Sequence, residues 1–151
     1  MTGVQTCALP ICLDFGELTL PNGDRLRLFG TPGQTRFDFL WKILSQNAIG
    51  MILLTDNSRP DPLADLRVYL QGFAKELAEM PCVIGVGRLE NHPRPDLDDY
   101  ANELARHRLV LPVLAVDVRK KSDVSLLIDT LLSQLEADLM EDSPHERSYH
   151  A

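Results

Sequence analysis

The sequence contains little cysteine, no long apolar run and no excess of positive charge. Its three cysteines, Cys7, Cys12 and Cys82, form no CxxC pair and have no metal-ligand spacing to histidine, so no metal site is expected. No apolar stretch approaches the roughly 18 residues of a membrane span. The net charge of -7 argues against broad nucleic-acid or anionic-membrane binding. The odd number of cysteines and the lack of a secretion signal favour a cytoplasmic protein. The short apolar runs and the acidic charge favour a protein with no membrane span and no nucleic-acid partner.

The first dozen residues differ in character from the rest of the chain. Thr2 to Ile11 reads TGVQTCALPI, which is the translation of a widely used sequencing-library adaptor. The segment has neither helical nor strand periodicity. We interpret residues 1–12 as a non-native leader and expect Thr2 to Ile11 to pack poorly or to lack regular structure. The natural sequence is then expected to begin near Leu13, inside a domain; the alternative is a natural disordered leader.

From Leu13 onward, the pattern is a β-hairpin followed by alternating helices and buried strands. Two short alternating runs, Glu17 to Pro21 and Arg25 to Phe29, flank an Asn22-Gly23 turn and predict the hairpin. The predicted order after it is helix 36–46, strand 49–54, helix 61–77, strand 82–86, helix 96–107, strand 111–116 and helix 122–135, with a polar tail over 138–151. Strands alternating with helices imply an α/β fold, a mostly parallel sheet with helices on both faces.

In open sheets of this kind, ligands bind at the carboxyl ends of the strands. The loops that follow the predicted strands are therefore the candidate site. They are Gly30 to Arg36, Asp56 to Pro60, Gly87 to Asn91, and Asp117 to Lys120.

These four loops lie where Ras-like small GTPases carry their motifs. Residues 28–37 read LFGTPGQTRF and resemble switch II, and the TPGQ version is similar to bacterial MglA-like proteins and to relatives encoded beside Roadblock-type proteins. The stretches LDFGEL at 13–18, IGMILLTDN at 49–57 and DVSLL at 123–127 resemble the same group. The resemblance implies that residues 13–137 form a partial small-GTPase-like domain. Such a domain has a P-loop GTPase-like fold without its first strand, phosphate loop and first helix.

The resemblance also implies a phosphate-side set of residues. Gln34 matches the glutamine that orients the attacking water, and Arg36 is the candidate arginine that contacts phosphate or a partner. Thr31 and Gly33 lie beside the expected γ-phosphate position, where a residue without Cβ lets backbone N–H approach. The alternative is that Thr31 to Gly33 is simply a turn and Gln34 caps a helix.

A second set corresponds to the guanine-reading motifs. Gly87-Arg88-Leu89-Glu90 occupies the position of NKxD: Glu90 would accept from guanine N1–H and N2–H₂, and Arg88 would stack on the base. Asp117 and Val118 occupy the position of SAK, whose backbone N–H groups bind the base oxygen. The alternative is an ordinary solvated loop, and Arg119-Lys120-Lys121 is interpreted as a solvated basic patch.

Two departures affect what the chain itself can do. The usual magnesium-holding aspartate is replaced by Gly30, and GxxxxGK[ST] occurs nowhere in the sequence. The resemblance implies GTP or GDP with Mg²⁺ for the intact parent protein, whereas no cofactor and no activity are expected for this chain. Two functions stay open. One is a fragment of a GTP-hydrolysing molecular switch in bacterial signalling or polarity, with a Roadblock-type partner; the other is a non-catalytic interaction module that uses the Phe37/Trp41 face.

Overall fold

The structure is a computed structural model that describes residues 2–5, 14–31 and 38–142. The chain divides into two compact units, Met1–Ala48 and Ile49–Ala151.

The first unit contains a three-stranded antiparallel sheet and one helix. Strands β1 (Thr2–Gln5), β2 (Asp14–Thr19) and β3 (Arg25–Gly30) lie in that order, and α1 spans Asp38–Ser45. The predicted hairpin is confirmed as β2 and β3. Its turn is closed by the Leu20 N–H, which donates to the Asp24 carbonyl at 2.8 Å. Gly23 has φ 91°, a backbone conformation that favours glycine, which explains the Asn-Gly signal.

Strand β1 falls within the segment that matches the adaptor. Thr2–Gln5 pairs antiparallel with β2, with Thr2 opposite Glu17 and Gln5 opposite Phe15. Of the two expectations for Thr2 to Ile11, poor packing or no regular structure, the second does not hold for these four residues, and the first stays a prediction. Antiparallel pairing uses backbone groups, and the β-branched Thr2 and Val4 suit a strand, so a short segment can add to an edge whatever its origin. Residues 6–11 lie outside the described part of the chain.

The second unit is an α/β structure with a three-stranded parallel sheet flanked by helices, as the alternating pattern predicts. Its sheet has the order β4-β5-β6. Its elements are β4 (Met51–Asp56), α2 (Pro62–Gly72), α3 (Ala74–Glu79), β5 (Cys82–Gly87), α4 (Leu97–Arg106), β6 (Val113–Ala115) and α5 (Lys121–Asp142).

The central strand β5 lies at the core of the second unit. Residues 82–86 are all buried, as the continuous apolar run predicts. Val83 packs with Val116 and Leu127, which places α5 over one face of the strand. On that face, a Cβ at Gly85 would lie 2.9 Å from Val116 Cγ2 and 3.3 Å from Leu127 Cδ2. The glycine therefore permits close helix–sheet packing.

Two helices differ from their predicted bounds. The helix predicted over 61–77 is broken at Phe73 (φ -108°, ψ 22°), which ends α2 and precedes α3. Gly72 lowers helix stability at this point, and a periodic apolar face alone does not reveal the break. Helix α5 begins at Lys121, one residue before its predicted start at 122. It continues to Asp142, beyond the predicted end near 135, because its polar last turns remain good helix formers.

Helix α4 is fixed at its start by a reciprocal cap and along its length by a buried carboxylate. Asp96 Oδ1 accepts from the Asp99 N–H and Asp99 Oδ2 accepts from the Asp96 N–H, both at 2.9 Å. Glu103, whose side chain is 4% exposed, accepts from Arg67 Nε of α2 at 2.6 Å. Arg106 and His107 also lie 3.5 Å from its carboxylate. Hydrogen bonding from Arg67 lowers the pKa of Glu103 more than burial raises it, so a charged group ties α2 to α4.

Candidate functional site

The parallel strands end together at one edge of the second unit. Asp56 lies opposite Gly87 in the β4–β5 register, and Val86 lies opposite Ala115 in the β5–β6 register. The three loops that follow these strands therefore leave the sheet side by side, as the strand-end rule predicts.

The loop after β4 is organised by the carboxylate of Asp56. Asp56 Oδ1 accepts from the Ser58 N–H at 2.9 Å and from the Ser58 hydroxyl at 2.7 Å. The hydrogen bond from the Ser58 side chain lowers the pKa of Asp56, and the Arg88 and Arg59 charges act in the same direction. Asp56 therefore presents a stable negative charge at the end of β4.

Arg88, in the loop after β5, is bound to the loop after β4. Its Nη1 donates to Asp56 Oδ2 and to Ser58 Oγ, both at 2.9 Å. Its backbone has φ 62°, an uncommon conformation for a residue other than glycine. Two neighbouring loops are thus joined by a closed set of three side chains, and the Arg88 side chain is still 66% exposed.

The side chain of Asn57 connects the loop after β4 to the loop after β5 and to helix α4. It is buried, and its Nδ2 donates to the carbonyls of His92 and Pro95 at 2.8 Å each. Its Oδ1 accepts from the hydroxyl of Tyr100, a fully buried residue of α4, at 2.7 Å. Burial raises the pKa of Tyr100, so its hydroxyl remains a donor. One amide therefore holds the end of β4, the loop after β5 and helix α4 together.

The loop after β6 is organised around Asp117. Its carboxylate accepts from Arg119 Nε and Nη2, each at 2.9 Å, and from the Arg119 N–H at 3.0 Å. These hydrogen bonds lower the pKa of Asp117 to about 2. The Asp117 N–H donates to Asp123 Oδ2 of α5 at 2.8 Å. The side chain of Arg119 is 87% exposed, in agreement with a solvated basic patch, and it folds back on the aspartate two residues before it.

Arg119 in the third loop lies close enough to Glu90 in the second for their charges to interact. Hydrogen bonding with Asp117 is the main cause of its raised pKa, and the charge of Glu90 adds to that rise. Glu90 and Val118 are both exposed at this edge. Arg88 and Arg119 are each paired with an aspartate, Asp56 and Asp117 respectively.

The sequence-predicted site residues therefore divide into two groups. Arg88, Glu90, Asp117 and Val118 lie together on adjacent loops of the second unit. Thr31 is an exposed residue of the first unit, just after β3. The remaining predicted residues, Gly33, Gln34 and Arg36, lie outside the described part of the chain.

Sequence reasoning missed Asn57 and Tyr100, which organise the site without carrying a charge. An asparagine directly after a buried strand can indicate an amide that connects loops, because a buried amide requires hydrogen-bond partners. The residues that supply those partners, 92, 95 and 100, are separated from it by more than 30 positions, and no local pattern identifies them.

No protein-family model matches the sequence, and no curated protein is significantly similar to it. Within residues 2–5, 14–31 and 38–142, the structure contains no group of three or more His, Cys, Asp or Glu side chains placed to hold a metal ion. None of the helices in that part of the chain is both long enough and apolar enough to span a membrane.

Proposed function

We propose that the second unit provides the base-binding side of a nucleotide site, in a protein that acts as a GTP-dependent molecular switch of the MglA-like kind. The observation that carries the proposal is the gathering of Arg88, Glu90 and Asp117 at the carboxyl ends of two neighbouring parallel strands, β5 and β6. Ligand sites in open α/β sheets form at this edge. The resemblance of the same loops to the guanine-reading motifs supports the choice of a nucleotide.

Each loop has a distinct part in this proposal. The exposed Glu90 carboxylate accepts from guanine N1–H and N2–H₂, an arrangement that adenine cannot reproduce. The Arg88 guanidinium, held by Asp56 and Ser58, offers a flat cationic surface on which a base can stack. The backbone N–H of Val118 is the proposed donor to the base oxygen, since the N–H of Asp117, the other expected donor, is bound to Asp123 Oδ2 in this structure.

The phosphate side of the proposal rests on the resemblance alone. There Gln34 orients the attacking water, Arg36 supplies positive charge, and Thr31 and Gly33 lie beside the γ-phosphate, with Mg²⁺ bound in the intact parent protein. A Roadblock-type protein is the proposed regulator. For this chain, which contains no GxxxxGK[ST], we expect no hydrolysis and no GTP or GDP binding at micromolar concentrations.

The competing proposal is a non-catalytic interaction module, and one observation favours it. The arginines of these loops are already paired, Arg59 with Asp65, Arg88 with Asp56 and Arg119 with Asp117. Gly87, at the position of the asparagine in NKxD, also has no side-chain amide to offer a base. An interaction module would bind its partner equally well with and without nucleotide.

The two proposals are separated by titrating the chain with millimolar guanosine and adenosine and following backbone amide resonances. We expect guanosine to shift residues 88–90 and 117–118, and adenosine to shift them less. Glu90→Gln should weaken the guanosine response, because the amide oxygen accepts less strongly than a carboxylate. Glu136→Gln, which removes the same charge from an exposed position on α5, should leave the response unchanged.

Two results would contradict this proposal. Equal responses to both nucleosides, or no response at these loops, would favour the interaction module. Calorimetry that gave a micromolar dissociation constant for GTP would overturn the expectation that the chain binds no nucleoside phosphate.

A further inference from the structure

The turn of the β2–β3 hairpin contains Asn22-Gly23, the only Asn-Gly pair in the sequence. In such a pair, the backbone nitrogen of the second residue can attack the side-chain amide carbon of the first. Glycine favours this attack, because it has no Cβ to block the approach and its backbone reaches conformations closed to other residues. The hairpin turn is therefore a place where the chain can react with itself.

The folded turn restrains both reacting groups. The Gly23 N–H donates to the Leu20 carbonyl at 2.9 Å, which holds the attacking nitrogen. Asn22 Nδ2 donates to Asp24 Oδ2 at 2.8 Å, and the Asp24 N–H donates to Asn22 Oδ1 at 3.0 Å, so the amide under attack is held as well. The bond between Gly23 and Leu20 has to break before the nitrogen can react, so the closed turn slows the reaction.

Little apolar burial keeps this turn closed. Residues 21–25 are all exposed, and no side chain among residues 15–30 is buried. Segments with few buried apolar contacts open locally at a low free-energy cost. Asn57-Ser58 in the second unit is the opposite case, because the Asn57 side chain is buried and its amide makes three hydrogen bonds. Asn22 thus combines a reactive neighbour with a turn that opens easily.

We infer that Asn22 is a site of spontaneous deamidation, at a rate set by the opening of the hairpin turn. The Gly23 nitrogen gives its proton to a base in the solvent and bonds to Asn22 Cγ. The Cγ–Nδ2 bond then breaks, the amide nitrogen takes a proton from the solvent and leaves as ammonia, and a cyclic imide remains. Water opens the imide at either carbonyl and leaves aspartate or isoaspartate at position 22. Water is consumed and ammonia released in equal amounts, with no cofactor or oxidant.

Both products alter the hairpin. Aspartate at position 22 has no donor for Asp24 and places a second carboxylate beside it, so an attraction becomes a repulsion. Isoaspartate adds a methylene to the backbone of the turn. Since turn type and loop length fix the register of a hairpin, isoaspartate disturbs the pairing of β2 with β3. The inference concerns the first unit and does not depend on the proposed nucleotide site.

The test incubates the full chain in mildly alkaline buffer and follows each asparagine by peptide mass spectrometry. We expect Asn22 to lose its amide first and to give both aspartate and isoaspartate, while Asn57 stays intact over the same period. An Asn22 amide that persists while another asparagine reacts would overturn the inference.

A pair of variants tests the restraint by the turn. Asp24→Ala removes the acceptor of Asn22 Nδ2, and we expect it to make deamidation at Asn22 roughly twofold to fivefold faster, the factor that corresponds to one weak to ordinary hydrogen bond. Asp98→Ala, the same change at an exposed position on α4, should leave that rate unchanged. Equal rates in the two variants would contradict control by the turn.

Hydrogen exchange of the Gly23 N–H measures turn opening directly, because exchange requires its bond to the Leu20 carbonyl to break. Exchange at Gly23 and deamidation at Asn22 should rise together from the wild type to Asp24→Ala, and again when urea is added at concentrations that open the hairpin. A deamidation rate that does not follow the exchange rate would overturn the inference, even if Asn22 is the first asparagine to react.

Discussion

The two units of this protein stabilise their strands in different ways. In the first unit, no side chain among residues 15–30 is buried, and the described contacts across the hairpin lie at its surface. Phe15 and Phe29 have ring centroids 5.2 Å apart, and Glu17 lies 3.5 Å from Arg25. In the second unit, residues 82–86 of β5 are all buried. Backbone pairing thus defines the first sheet, whereas apolar burial on both faces defines the central strand of the second.

This difference is tested most strongly by truncating one leucine in each unit. Leu66 is fully buried, and we expect Leu66→Ala to lower the free energy of unfolding by about 2–5 kcal/mol. Leu26, in β3, is only partly buried, so Leu26→Ala should cost about 1 kcal/mol or less. Urea unfolding followed by circular dichroism measures both. Equal losses would mean that burial does not distinguish the two units.

A smaller effect is expected from the buried amide that connects the loops of the second unit. Asn57→Ala leaves the hydroxyl of Tyr100 and the carbonyls of His92 and Pro95 without their partner, which should cost about 1–3 kcal/mol. The matched change Asn22→Ala affects an exposed turn in the first unit and should cost less than about 1 kcal/mol.

Unfolding of the Asn57 and Asn22 variants in urea measures these costs. Tyr100→Phe serves as a further control. Because it removes the hydroxyl that donates to Asn57, the losses in Asn57→Ala and Tyr100→Phe should not add in the double variant. Additive losses of stability would contradict the hydrogen bond from the Tyr100 hydroxyl to Asn57.

The smallest expected effect is a change in the pH dependence of stability. Glu103→Gln should lower stability at pH 7 by about 1 kcal/mol, because the charged acceptor of Arg67 is lost. The folded-state pKa of Glu103 is lowered, so its contribution is complete above its unfolded-state pKa of about 4.3 and is lost as the pH falls through the folded value.

Thermal unfolding from pH 7 to pH 3 should therefore show the wild type and Glu103→Gln converging in stability on acidification. Glu17→Gln in the first unit is the matched control. Glu17 is a more exposed carboxylate, with arginines 3.5 and 3.8 Å away, and its replacement should change the profile little. A difference in stability between Glu103→Gln and the wild type that stays constant from pH 7 to pH 3 would contradict a stabilising role for the charged Glu103 carboxylate.

Patterns within the sequence were sufficient for much of the fold. The Asn22-Gly23 turn predicted the hairpin, and the apolar run at Cys82 predicted the buried central strand, because both signals are local and depend on backbone preference or burial. The break at Phe73 was missed, since apolar residues continue at helical spacing through Leu77. Pairing of Thr2–Gln5 with β2 was also missed, because strand pairing joins residues that carry no shared local pattern.

The candidate site was predictable in position and not in its bonding. Parallel strand ends indicated that Arg88, Glu90 and Asp117 would lie together, and the register of β4, β5 and β6 agrees. The contact of Arg88 with Asp56 joins residues 32 positions apart, so only the folded chain reveals it. The predicted roles of Gln34 and Arg36 stay predictions, because both lie outside the described residues.

The amide of Asn57 has a consequence for the entropy of ligand binding. By fixing the carbonyls of His92 and Pro95, it restricts the backbone that follows Arg88 and Glu90 before any ligand arrives. Ordering one residue's backbone costs about 1–2 kcal/mol at room temperature, and here that cost is met during folding. A ligand at this edge would encounter a preorganised loop, and more of its contact energy would appear as affinity.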